Sequence, residues 1–74
     1  MERLGIMWLE LNSGAIHAVK YEGEKKLLHV WFRDGTTIIY HGVPIKTYDA
    51  LLIAPSAGKY FNEHIRNDFK FERD

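Results

Sequence analysis

The sequence has no cysteine and only two prolines among its 74 residues. Without thiols, disulfide bonds, thiolate metal sites and cysteine nucleophiles are excluded. Small secreted domains usually carry disulfides, so the absence of cysteine favours a reducing, cytoplasmic setting. No apolar run approaches the roughly 20 residues that a membrane-spanning helix needs. The first residues also lack the pattern of a signal peptide, and we expect no membrane segment.

The sequence also lacks an excess of charge of either sign. Ten lysines and arginines balance ten acidic residues, and opposite signs alternate along residues 22–26 and 70–74. Proteins that bind nucleic acid through its phosphates usually carry a surplus of positive charge. Binding of nucleic acid by charge alone is therefore disfavoured.

The length and composition predict one globular domain over residues 1–74. The chain is 46% hydrophobic and 14% aromatic, which is too apolar for a disordered segment. A chain this short buries only roughly 60% of its unfolded surface, so its stability is modest. That limit weighs against an elaborate active site with strained or unpaired groups.

Three successive segments have the composition and alternation of β-strands: 15–21, 27–33 and 36–41. Asp34-Gly35 predicts a tight hairpin between the last two, because glycine supplies the left-handed conformation of the turn. Gly23 is expected to do the same in the preceding turn. Three antiparallel strands in sequence make a meander. Residues 4–11 read as a further strand or an ordered lead-in, and the alternating tail 68–74 is expected to pin Phe69 or Phe71 to the core.

The alternation assigns faces to the second predicted strand. Leu28, Val30 and Phe32 share one face, and His29, Trp31 and Arg33 share the other. The first predicted strand is ambiguous, because Ile16 and Ala18 compete with Val19 and Tyr21 for the inner face. A β-bulge would resolve that conflict.

Two short helices follow the strands. Pro44 suits the first position of a helix, and Pro55 ends that helix because it disfavours a helical conformation in the residue before it. Ser56 is placed to cap a second helix. The side of the second helix that faces water carries Lys59, Asn62 and Arg66 among others. The predicted fold is α+β: an antiparallel meander of three to four strands, followed by two short helices packed on one face.

The stretch "APSAGKY" at 54–60 resembles the end of a phosphate-binding loop, but the match fails. Ile53 stands where the first glycine of such a loop belongs, and Tyr60 stands where the magnesium-binding hydroxyl belongs. We expect Gly58 to allow close packing of the helices. Lys59, beside the start of the second helix, could still contribute to binding an anion.

Catalytic and metal-binding patterns are absent from the sequence. None of the four histidines forms a metal-ligating motif with another, and we expect His64 to be a half-buried packing residue. Neither serine lies in a nucleophile motif, and no carboxylate pair stands out as an acid and base. The sequence therefore predicts no enzyme, no cofactor and no metal.

The outer face of the predicted sheet is the strongest candidate for a binding surface. Trp31, Arg33 and His41 would lie there, and tryptophan and arginine are enriched at the energetic centres of protein interfaces. Trp31 could equally stack on a single-stranded base. The alternative is that the N-terminal segment or the tail folds over this face and buries Trp31.

The motifs together resemble the KTSC domain, over roughly residues 13–71. The run that follows Pro44, "Y-x-x-L-x-x-A-x-S-x-G-x-Y-F-N-x-x-I-R", is the most specific part. The residues that carry the resemblance are Ser13, Ile16, Tyr21, Gly23, Leu28, Val30, Phe32, Gly35, Tyr40, Gly42, Val43, Pro44, Tyr48, Leu51, Ala54, Ser56, Gly58, Tyr60, Phe61, Asn62, Ile65 and Arg66.

The resemblance implies a link to RNA-handling machinery. The family takes its name from the C-terminus of some lysyl-tRNA synthetases, occurs also as small stand-alone proteins of bacteria and phages, and has been suggested to bind RNA. Its members tend to show Tyr-x-Tyr on the third strand, where this chain has Ile38 in the first position. If that pair stacks on RNA, half of it is missing here.

We therefore expect a non-catalytic regulator that docks on a protein of the transcription or translation machinery, such as bacterial RNA polymerase. The expected contacts are Trp31, Arg33 and His41 on the sheet. A second candidate surface on the second helix carries Lys59, Asn62 and Arg66. The alternative is a weak single-stranded RNA-binding module with Trp31 and Tyr40 as stacking platforms.

Overall fold

A computed structural model describes residues 7–74 as an antiparallel sheet with two helices on one face. The strands are β1 (Leu9–Glu10), β2 (Ile16–Glu22), β3 (Leu27–Phe32), β4 (Thr37–His41) and β5 (Lys70–Arg73); the helices are α1 (Ile45–Ile53) and α2 (Ala57–His64). The order of the strands in the sheet is their order in the chain. The predicted α+β class, a meander followed by two short helices, is confirmed. Neither helix is long and apolar enough to cross a membrane.

The sheet has five strands rather than three or four. At one edge, the two residues of β1 pair with β2, with Leu9 opposite Val19. At the other edge, β5 returns after the helices and pairs with β4. Phe69, just before β5, packs against the core as expected, whereas Phe71 remains 59% exposed. Residues 4–6 of the first predicted segment lie outside the described residues.

A β-bulge in β2 resolves the competition for the inner face. Ile16 pairs with Phe32 and Ala18 pairs with Trp31, so His17 is an extra residue in β2. The extra residue shifts the alternation by one. Ile16 and Val19 therefore both point toward the helices, and both are fully buried.

The core lies between the inner face of the sheet and the helices. Burying an aliphatic or aromatic side chain of this size contributes about 1.5–3 kcal/mol to folding. Phe61 of α2 sits at the centre, with its ring edge-on to those of Phe32 and Tyr40, at 5.4 Å between centroids in each case. The buried core residues are Ile16, Val19, Leu28, Val30, Tyr40, Val43, Leu51, Phe61 and Ile65.

Tyr21 attaches the start of α1 to the sheet. Its hydroxyl donates a hydrogen bond to the carbonyl oxygen of Val43 at 2.6 Å, and its ring stacks on that of Tyr48 at 4.7 Å. Loss of solvent around the hydroxyl, with a smaller effect of the nearby Asp49 carboxylate, raises the pKa of Tyr21. The phenol therefore stays neutral and remains a hydrogen-bond donor at neutral pH.

The left-handed residue is the predicted one in the β3–β4 turn but not in the β2–β3 turn. Gly35 has a φ of 96° in the β3–β4 hairpin, as predicted. In the β2–β3 turn, however, the left-handed residue is Lys26, with a φ of 54°, and not Gly23. The position of a left-handed residue within a longer turn depends on the register of the two strands, which glycine content alone does not define.

The helix starts are close to prediction. Pro44 is the N-cap of α1, with extended backbone angles, rather than its first helical residue. The hydroxyl of Ser56 accepts a hydrogen bond from the Lys59 amide at 3.3 Å, which confirms the predicted cap of α2. Gly58 was expected to let the two helices pack closely, but it faces the loop before β2 rather than α1. A β-carbon there would lie 3.5 Å from the Ser13 hydroxyl oxygen and 3.7 Å from the Ala15 β-carbon.

A hydrogen bond joins β2 and β3 on the outer face of the sheet. His29 Nε2 and Glu22 Oε2 lie 2.6 Å apart, and both side chains are largely shielded from solvent. This hydrogen bond is the main reason why the pKa of Glu22 lies below its usual range. The pair therefore stabilises the register of the two strands when Glu22 is ionised.

Gly58→Ala is expected to increase the free energy of unfolding by up to about 1 kcal/mol, because alanine restricts the unfolded chain and its methyl group fits the observed space. Gly35→Ala is the matched control. It is expected to destabilise by about 1–2 kcal/mol, because the residue at 35 must adopt a left-handed conformation. Urea unfolding of both variants measures these changes. A loss of stability in Gly58→Ala would contradict the observed geometry.

The free energy of unfolding is expected to fall as the pH drops below about 4.3, the ordinary pKa of glutamate. The pKa of Glu22 is lower in the folded state, so its hydrogen bond contributes fully above the unfolded-state pKa. That contribution is lost as the pH falls through the folded-state pKa. Glu22→Gln should reduce this loss, as measured by urea unfolding at pH 6 down to pH 2. Glu24→Gln, a change at an exposed position nearby, controls for the removal of one charge. An equal effect of the two substitutions would refute the role of the pair.

Candidate functional site

Four rings form a cluster on the face of the sheet that is turned away from the helices. The His17 and Trp31 rings meet edge-on at 4.4 Å, and Trp8 meets Trp31 edge-on at 5.4 Å. Trp8 also lies 6.3 Å from His29. We call Trp8, His17, His29 and Trp31 the outer aromatic cluster. It is built from three elements: the segment before β1, the bulge of β2 and the centre of β3.

Trp31 lies on the outer face as the alternation predicted, but it is only partly exposed. Trp8 and His17 cover part of its ring, so the described part of the N-terminal segment does lie over this face. Trp8 itself is 36% exposed and carries the ammonium group of Lys20 over its ring, 4.7 Å from the centroid. The cluster therefore offers aromatic surface to solvent without being a smooth apolar patch.

The guanidinium group of Arg33 is engaged by the fold. Its Nε donates to the carbonyl oxygen of Ser13 at 2.8 Å, and one Nη donates to the carbonyl oxygen of Leu11 at 3.2 Å. The other Nη lies 3.2 Å from Nδ1 of His17 and donates to it when that nitrogen is unprotonated. Arg33 thus holds the loop between β1 and β2 in place, and few of its donors remain for a partner.

His41 is not part of the aromatic cluster. In the β3–β4 ladder His41 pairs with Leu27, whereas Trp31 pairs with Thr37 four residues away. Four residues of strand span about 13 Å. His41 instead forms a hydrogen bond with Glu72 of β5 at 3.0 Å, and both side chains are exposed. The three outer-face candidates therefore do not form one compact contact surface.

The candidates on α2 are divided between two grooves. Lys59 lines a shallow, mainly apolar depression beside Pro55 and Tyr60, at the loop between the helices. Asn62 and Arg66 instead face a second groove, between α2 and the strands. Their helical spacing placed the three on one face, but the curved surface of the domain separates them.

The second groove has a volume of about 320 Å³, and we call it the inner groove. Arg66 stands on its α2 side and Arg73 on its β5 side, while Phe32, Tyr40 and Phe61 form the aromatic wall. Burial raises the pKa of the Tyr40 phenol, and the positive charge of Arg66 partly opposes that effect. Tyr40 is only 2% exposed, so its ring cannot serve as a stacking platform for a base.

Two further expectations concern histidine and metal binding. His64 was expected to be half-buried, but its side chain is 54% exposed and lies against the ring of Tyr60. The buried side of α2 runs through Phe61 to Ile65, and His64 lies one position to the side of that line. Among residues 7–74, no three His, Asp or Glu side chains lie close enough together to hold a metal ion.

The sequence did not identify Trp8, His17 or Arg73 as site residues. A bulge within residues 15–21 was considered as the answer to the ambiguous strand, and its assignment to His17 could have placed the imidazole beside Trp31. The alternation of Lys70, Phe71, Glu72 and Arg73 could have placed Arg73 on the inner face with Phe71. Neither placement follows without the pairing of the edge strands, which joins residues distant in the sequence.

Comparison with solved structures finds the same fold in a KTSC domain protein from Yersinia pestis. The two chains superimpose with a TM-score of 0.90 at 25% sequence identity, over 93% of this chain and 97% of the other. The overall fold described above is thus shared by the two proteins.

Comparison with protein sequences finds relatives in several bacteria. A protein of Tsukamurella paurometabola is 33% identical over 60 residues, which cover 81% of this chain and 90% of that protein. A lysine–tRNA ligase of a Nostoc species is 36% identical over 65 residues, which are 88% of this chain but only 12% of the ligase. The model of the KTSC domain family matches residues 12–69. With this match across most of its length, the chain belongs to the KTSC domain family.

Proposed function

We propose that this chain is a non-catalytic binding module of the cytoplasm, which docks through the outer aromatic cluster on a protein of the transcription or translation machinery. The partly exposed tryptophan pair, Trp8 and Trp31, is the observation that carries the proposal. Tryptophan has a large contact area and few rotatable bonds, and it is among the residues that dominate binding energy at interfaces. Trp31 is held in place by His17 and Trp8, so little side-chain freedom is lost on binding.

The charges around the cluster favour a protein partner over a phosphate backbone. Lys20 and Glu22 flank His29 on the outer face, and Lys70 and Glu72 face the same way on β5, two strands from β3. Positive and negative groups therefore alternate across the outer face. A surface of mixed charge matches the polar rim of a protein interface. It gives little of the phosphate neutralisation that drives binding to nucleic acid.

The relatives support the choice of machinery. The similar segment of the Nostoc protein belongs to a lysine–tRNA ligase, an enzyme of translation. Bacterial RNA polymerase is the transcription partner included in this proposal. An enzyme is not proposed, because the sequence carries no catalytic motif and the polar groups of the outer face are paired with one another.

Single-stranded RNA binding is the second candidate function. The exposed ring of Trp8, with Lys20 next to it, is the feature that favours it, since aromatic rings stack on bases and cations contact phosphates. Tyr40 is buried and takes no part, so the stacking surface would consist of Trp8 and Trp31. This candidate requires that binding weakens strongly as salt is added.

Trp31→Ala is expected to weaken binding to the protein partner by about tenfold or more, because removal of a central interface tryptophan costs at least about 1.4 kcal/mol. Purified bacterial RNA polymerase and lysyl-tRNA synthetase are the partners to measure, by biolayer interferometry. Trp8→Ala should have a similar effect. Ile53→Ala is the matched control, since Ile53 is an 82% exposed apolar residue on α1, away from the cluster.

Circular dichroism of each variant shows whether the fold is retained. His41→Ala and His64→Ala form a second matched pair of exposed histidines, of which only His41 lies on the outer face. If neither RNA polymerase nor lysyl-tRNA synthetase binds, while single-stranded RNA quenches the tryptophan fluorescence at physiological salt, the RNA-binding function replaces the docking proposal.

A further inference from the structure

The inner groove brings together two arginines that are distant in the sequence. Arg66 follows α2 and Arg73 ends β5, and the pairing of β5 with β4 places them on opposite sides of one depression. Asn62 and the partly exposed Phe32 also line the groove, over the buried rings of Tyr40 and Phe61. The groove lies on the helix side of the sheet and is separate from the outer aromatic cluster.

The donors of both guanidinium groups are largely free within the described residues. Arg66 donates one long hydrogen bond, of 3.4 Å, to the Asn62 side-chain oxygen. Over residues 7–74, neither Arg66 nor Arg73 comes within 4.0 Å of a carboxylate oxygen. A guanidinium group presents five N–H donors in a planar fork that matches the oxygens of phosphate. Two such forks across one groove suit a dianion better than a single carboxylate.

The walls of the groove indicate what is attached to the anion. Phe32 and Phe61 present their rings at 71° to one another, and Tyr40 is edge-on to Phe61. Tyr40 and Phe61 are only 2% and 4% exposed, so of these three rings only the partly exposed Phe32 can contact a further aromatic ring. The volume of about 320 Å³ lies at the lower end of the range for small-molecule sites, so it fits a compact ligand rather than a length of polymer.

Among residues 7–74, Asp34 is the one acidic residue that lines the groove. Its carboxylate accepts a hydrogen bond from the Thr36 amide at 2.9 Å, and this bond is the main reason why its pKa lies below the usual range. Asp34 is thus ionised at neutral pH, and the positive charge of Arg73 also contributes to the lowering of its pKa. The carboxylate offsets part of the positive charge of the groove and disfavours a ligand that carries a second anionic group.

We propose that the inner groove binds a phosphomonoester next to an aromatic ring, with Arg66 and Arg73 on the phosphate and Phe32 against the ring. Two kinds of ligand carry a phosphomonoester and an aromatic ring: a simple aryl phosphate and a mononucleotide. Phenyl phosphate and adenosine 5′-monophosphate represent them. Inorganic phosphate lacks the ring and so tests what the ring contributes. Benzoate lacks the phosphate and so tests what the phosphate contributes.

Titration of the ¹⁵N-labelled chain with phenyl phosphate, followed by NMR, is expected to give saturable shifts of the Asn62 and Arg66 amides with a Kd at or below about 1 mM. Adenosine 5′-monophosphate is expected to shift the same amides, and the tighter of the two ligands identifies the source. Inorganic phosphate and benzoate should each bind at least about tenfold more weakly. The absence of saturable shifts with both esters, or equal binding of benzoate, overturns the proposal.

Arg66→Gln and Arg73→Gln should each weaken phenyl phosphate binding by roughly tenfold or more, since each removes charge-assisted hydrogen bonds. Lys59→Gln makes the same change of charge on α2 outside the groove and should leave binding nearly unchanged. Asp34→Asn should tighten binding, because the amide oxygen can keep the bond to Thr36 without the negative charge. If Lys59→Gln weakens binding equally, the effect comes from net charge alone, and the proposed site is wrong.

Trp31→Ala separates this proposal from the docking function. It is expected to leave phenyl phosphate binding unchanged, because Trp31 lies on the opposite face of the sheet. Loss of ester binding in this variant while the fold is retained would overturn the assignment to the inner groove.

Discussion

The bulge at His17 is the feature on which the two faces of this sheet depend. One extra residue in β2 lets Ile16 and Val19 point into the same core, although they are three residues apart. A regular strand would place them on opposite faces and expose one of them. The same extra residue sets the His17 ring against Trp31 on the outer face. The core and the outer aromatic cluster are thus consequences of one local irregularity.

Arg33 keeps the bulge in this form. Its side chain binds the carbonyl oxygens of Leu11 and Ser13, and its backbone amide binds the carbonyl oxygen of Ala15 at 2.9 Å. These bonds satisfy backbone groups of the loop that the irregular strand leaves without ladder partners. A residue that looked available for a partner is therefore an internal support, and the outer aromatic cluster owes its shape to it.

The small size of the domain explains why its two candidate surfaces lie so close to the core. The sheet is a single layer, so each strand contributes alternate residues to the hydrophobic interior and to the outer face. β3 gives Leu28 and Val30 to the core and His29 and Trp31 to the aromatic cluster. The inner groove likewise uses Tyr40 and Phe61, which are core residues, as its wall. Binding at either surface would therefore depend directly on the packing of the hydrophobic core.

The sequence by itself determined the order of the central strands, the two helices, the Asp34-Gly35 hairpin and the Ser56 cap. Each of these depends on residues within a few positions of one another, where alternation, helical spacing and turn chemistry act locally. It also determined the family, because the most specific motif lies within one continuous run. Tertiary structure alone decided the pairing of β1 and β5, the left-handed Lys26, the use of Arg33 as a support and the approach of Arg73 to Arg66. These features depend on contacts between residues far apart in the chain, whose geometry no local pattern specifies.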